Sequence, residues 1–102
     1  MKAVINGKTY NTETATLLGE MSVNPVGDFA HVSEALYRTA KGAYFLAGEG
    51  GARTKYAENV GGAVYGGSKI MPLTEAEALA WGERHMDADA VAEHFAHMVE
   101  EA

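Results

Sequence analysis

Seven of the chain's twelve glycines fall between Gly48 and Gly67, directly after the apolar run Ala43–Ala47. A glycine-rich loop that follows a strand can cradle a phosphate, admit a neighbouring backbone, or turn the chain. A dinucleotide fingerprint needs G-x-G-x-x-G between a strand and a long helix. Here Gly48-Glu49-Gly50 runs into Gly51, Ala52 and Arg53, so the third glycine is misplaced. The pattern G-x-x-x-x-G-K-[ST] of a phosphate-binding P-loop is absent. The stretch therefore reads as a turn region between two parts of unlike composition. Gly48, Gly50, Gly51, Arg53 and Lys55 could still hold a lone anion or meet a partner.

Charge separates those two parts. Residues 1–72 carry seven Lys/Arg and six Asp/Glu, a net of +1, and residues 73–102 carry Arg84 against eight acids, a net of −7. The eight are Glu75, Glu77, Glu83, Asp87, Asp89, Glu93, Glu100 and Glu101. Such a field opposes binding to nucleic acid or an anionic membrane and favours a basic protein surface. The plainer account is a solvated helical face.

With 102 residues, 47% of them apolar and 22% charged, the chain is expected to fold as a single α+β domain. Residues 1–72 would be β-rich with the glycine loop, and residues 73–102 an acidic helical hairpin. There is no cysteine, which excludes disulfides and thiolate chemistry. The start of the chain does not read as a signal peptide, and a cytoplasmic protein is expected.

Local signals place the elements. Asn6-Gly7 between Lys2–Ile5 and Lys8–Tyr10 predicts a type I′ hairpin. Ala15, Leu18 and Met21, capped by Asn11 or Thr12, predict a short N-terminal helix over Glu13–Glu20. Residues 32–42 read either as a helix capped by Ser33 or as half of a hairpin. Tyr37, Tyr44, Phe45 and Gly42 favour strands at 35–39 and 43–47. Ala52–Asn59 reads as a short helix, and Val64-Tyr65 with Ser68–Met71 as a small hairpin about Gly66-Gly67. Thr74-Glu75-Ala76-Glu77 is a capping box opening a helix, and Asp87 caps a second helix whose stripe is Val91, Phe95, Met98 and Val99.

Candidate chemistry is sparse. His94, His97 and Glu101 lie on adjacent turns, but their spacing matches no helical zinc motif; pairing of exposed histidines with acids is the expectation. Ser22, Ser33 and Ser68 lie in no nucleophile motif. The aromatics of the middle section read as core, since a stacking platform for nucleic acid would need a basic groove.

The strings NGKTYNTETA (6–15), EALYRTAKGAYFLAGEGGA (34–52), KYAE (55–58), GGSKIMPLTEAEA (66–78) and WGERH (81–85) resemble a family of short bacterial and phage mobile-element proteins. The resemblance spans nearly the whole chain, supports the 35–47 hairpin, and supplies no catalytic motif. It implies an anti-CRISPR-like inhibitor, non-enzymatic and without a cofactor. Its partner would be a CRISPR effector or another basic, nucleic-acid-binding protein complex, met through the eight acids above. Direct nucleic-acid or membrane contact is not expected, and the chain would be a monomer or homodimer. The alternative is a small anion- or nucleotide-binding module at Gly48–Lys55.

Overall fold

A computed structural model describes all 102 residues. Its centre is a four-stranded antiparallel sheet in the order β3-β4-β5-β8. The strands are β3 (Thr16–Val23), β4 (Val32–Arg38), β5 (Tyr44–Gly50) and β8 (Gly67–Leu73). Two short hairpins flank it, β1 (Lys2–Ile5) with β2 (Lys8–Asn11), and β6 (Glu58–Val60) with β7 (Ala63–Tyr65). Helices α1 (Glu75–His85) and α2 (Ala88–His94) close the chain. The α+β class holds, with both helices C-terminal.

Alternation along the strands divides the side chains between two faces. On one face Leu18, Leu36, Tyr44 and Leu46 meet Ala78, Trp81, Val91 and Phe95 of the helical layer. On the other, Phe45 and Ile70 meet Tyr10 of the β1–β2 hairpin, with Tyr37 and Ala47 beside them. Phe45 is the centre of an aromatic group, stacked on Tyr37 at 5.2 Å and edge-on to Tyr10 at 5.5 Å.

The helix expected over Glu13–Glu20 is a strand, β3, and its misleading pattern has a local cause. Leu18 and Met21 do share a face three residues apart, as on a helix. They do so because a register shift between Leu17 and Gly19 adds one residue to the strand and resets its alternation. Pairing of β3 with β4 along its length overrides the local helical spacing.

The middle section also differs from expectation. Residues 51–57 form consecutive turns, with Thr54 N–H donating to Gly51 O and Ala57 N–H to Thr54 O, rather than a helix. Val64-Tyr65 belong to β7 and pair with β6 through Gly61-Gly62, whose φ values of 59° and 85° suit a primed turn. Ser68–Met71 pair instead with β5. At the C-terminus α2 stops at His94, so Val91 and Phe95 are buried while Val99 is 41% exposed.

The hairpins β1–β2 and β4–β5 and both helix caps form as the sequence predicts. Thr74 Oγ1 accepts from Glu77 N–H at 3.1 Å, Glu77 Oε1 accepts from Thr74 N–H at 2.9 Å, and Asp87 Oδ1 accepts from Ala90 N–H at 2.8 Å.

Candidate interaction sites

Three places carry side chains beyond what packing alone needs. The first is a buried carboxylate. Register aligns Met21, Glu34, Gly48 and Lys69 in one row across the helix-facing side of the sheet. Glu34, only 4% exposed, therefore sits in the layer that also holds Leu36. Gly48 beside it leaves the space that the Tyr56 ring occupies; a Cβ there would overlap the Tyr56 hydroxyl. Across that gap Tyr56 Oη–H donates to Glu34 Oε2 at 2.5 Å. Trp81 Nε1–H reaches Glu34 Oε1 from α1 at 2.9 Å, and Lys55 Nζ lies 2.6 Å from Oε2. Lys55 and Lys69 also stand 5.4 and 5.8 Å from the centre of the Tyr56 ring.

The protons of this cluster are fixed. Burial is the largest single influence on Glu34 and opposes its charge. The hydrogen bonds from Lys55, Tyr56 and Trp81, with the charge of Lys55, together outweigh it and hold the carboxyl below its usual range. Burial first, and then the bond to Glu34, push the Tyr56 hydroxyl well above its ordinary value. Glu34 thus stays an acceptor and Tyr56 a donor at neutral pH. A general acid or base needs a pKa near the working pH, and this pair is tuned away from it. The cluster is a fully satisfied polar clamp joining β4, β5, the 51–57 turns and α1.

The clamp bears on the glycine loop. Lys55 is committed to Glu34, which leaves exposed Arg53 as the loop's free cation. Gly50 and Gly51 lie close against Thr54 and the backbone of Phe29. Lys55 and Arg53 are both exposed, but Lys55 is paired with Glu34 while Arg53 has no ion-pair partner.

The second place is the outer surface of the helical layer. All eight acidic residues of the C-terminal segment are exposed. Three have structural partners: Glu75 with His97 at 2.7 Å, Glu77 in the capping box, and Asp87 as the cap of α2. Glu83, Asp89, Glu93, Glu100 and Glu101 make neither a hydrogen bond nor an ion pair. No three His, Asp or Glu side chains converge as a metal site would require.

The third place is an open groove of about 500 Å³ at the loop end of the sheet. It is lined by the β3–β4 loop (Gly27, Asp28, Phe29, His31), the end of β5 (Glu49 to Ala52) and the β7–β8 junction (Val64 to Ser68). Phe29, Val64 and Tyr65 are 67%, 53% and 57% exposed around it. No Lys or Arg lines it.

No protein-family profile matches the chain, and neither a curated protein nor a solved structure matches it.

The clamp and the groove were both missed by sequence reasoning. Glu34 had a readable signal, since alternation sets it on the same strand face as Leu36. The groove had none, because its walls come from three segments brought together by the sheet.

Proposed function

We propose that this chain is a non-enzymatic binding protein that engages a basic, nucleic-acid-handling protein through the acidic outer surface of its helices. The observation that carries this reading is the set of five exposed, unpartnered carboxylates in a segment whose one Lys/Arg residue is Arg84. Unpaired surface charge contributes little to folding and much to steering and partner choice. Within this class, the resemblance to mobile-element proteins points to an inhibitor of a CRISPR effector complex.

The test separates charge from folding. Glu75, Glu77 and Asp87 have structural partners, so the informative variant reverses Glu83, Asp89 and Glu93 to lysine together. Binding to partners captured from the native host should weaken, and its dependence on salt should flatten. If the reversed protein binds as tightly at every salt concentration, the acidic-surface reading fails.

A further inference from the structure

We infer that the loop-end groove receives an arginine side chain of the basic protein partner. This rests on the reading that the partner is a basic protein, and it adds a second contact distinct from the helical surface.

The groove is built of acceptors and aromatic edges. Asp28 and Glu49 bring two carboxylates, and no cation lines the site to neutralise them. Asp28 Oδ1 accepts from Ala30 N–H at 2.7 Å, which fixes that carboxylate in place with an oxygen to spare. Glu49 is exposed and has no partner.

His31 supplies the independent observation. It lines the groove although it is only 8% exposed. Its Nδ1–H donates to Asn24 O at 2.8 Å, so in that tautomer Nε2 is left as an acceptor without a partner. His31 Nε2 is open to solvent rather than a buried orphan, so it offers an acceptor at a groove that two carboxylates also line, a set that suits a donor with several N–H groups.

The rim selects among donors. Phe29 and Tyr65 expose ring surface at the groove that nothing in the chain covers. A guanidinium is planar, stacks on aromatic faces and donates in several directions at once; an ammonium does this less well. At about 500 Å³ the groove also has room for the residues flanking that arginine in a peptide.

The experiment is a titration of isotope-labelled protein, followed by amide shifts, with N-acetyl-arginine amide and then a short arginine-containing peptide. N-acetyl-lysine amide is the control. Shifts should concentrate at Gly50, Gly51, Gly66, Gly67 and Ser68, and arginine should act at lower concentration than lysine. Glu49→Gln and Tyr65→Ala alter exposed side chains and should each weaken arginine binding about threefold while leaving the spectrum otherwise folded. Shifts confined to the helices, equal response to lysine, or unchanged affinity in both variants would overturn the proposal. The two readings fail separately. Intact arginine shifts with charge-independent partner binding sink the helical surface alone; absent shifts with salt-sensitive partner binding sink the groove alone.

Discussion

The two faces of the central sheet are held by different physics. The hairpin face closes with aromatic and aliphatic contact alone, Phe45 between Tyr37 and Tyr10 above Ile70. The helix face has a larger apolar layer, but it also buries a carboxylate on which three donors from two other segments converge. Apolar contact tolerates many arrangements of similar volume, whereas a buried charge with fixed donors tolerates very few. The hairpin face should therefore respond to volume, and the helix face to geometry and proton balance.

The largest contrast should come from deleting bulk. Phe45→Ala should cost about 3–5 kcal/mol in chemical denaturation, while Phe45→Leu should recover most of it. Gly48→Ala adds a single methyl, yet should cost about 3 kcal/mol, because it pushes the Tyr56 ring off Glu34. Adding Tyr56→Ala to it should cost less than the sum of the two single changes, since the clash is gone. Strict additivity would mean that Gly48 does not make room for Tyr56.

A smaller effect should be visible in pH. Tyr56→Phe removes one donor from Glu34 and should cost about 1–2 kcal/mol at neutral pH. Because the Glu34 carboxyl is held below its unfolded value, its stabilising share is present above about pH 4.3 and is lost as pH falls through the folded value. The Tyr56 hydroxyl is raised, so its share is full below about pH 10 and is lost as pH rises through the folded value. Phenylalanine at position 56 should abolish the alkaline loss and reduce the acid one. Phe45→Leu should leave both limbs intact, and a stability curve in which it erased either one would erase the distinction between the faces. The smallest change is at the surface, where His97→Ala breaks an exposed pair with Glu75 and should shift stability by less than about 1 kcal/mol, with no effect on either face.

The parts legible in the sequence were those encoded within a few residues. Asn6-Gly7 has φ values of 52° and 75°, and Gly42 of 87°, as the two predicted hairpins require. Thr74–Glu77 and Asp87 cap their helices from side chains three residues away. The charge of the last thirty residues was plain from composition. What failed was non-local. Strand β3 looked helical because its bulge imitates a three-residue spacing, and only pairing with β4 reveals it. Val64-Tyr65 and Ser68–Met71 look like partners across two glycines, but each finds a different strand. The glycine stretch hid its purpose for the same reason: the need for an empty position at Gly48 is written at Tyr56 and Glu34, in two other segments.

The position of Tyr56 over Gly48 also imposes an order of assembly. Its seat is made of β5 and the neighbouring Glu34 of β4, so the seat exists only once those strands have paired. Beyond the clamp, the backbone bonds of the 51–57 turns run within the segment and, from Gly51 and Arg53, to the β3–β4 loop rather than to a strand, so the turns can open while the sheet stays whole. Amides of that segment should therefore exchange with solvent sooner than those of the strands beneath it.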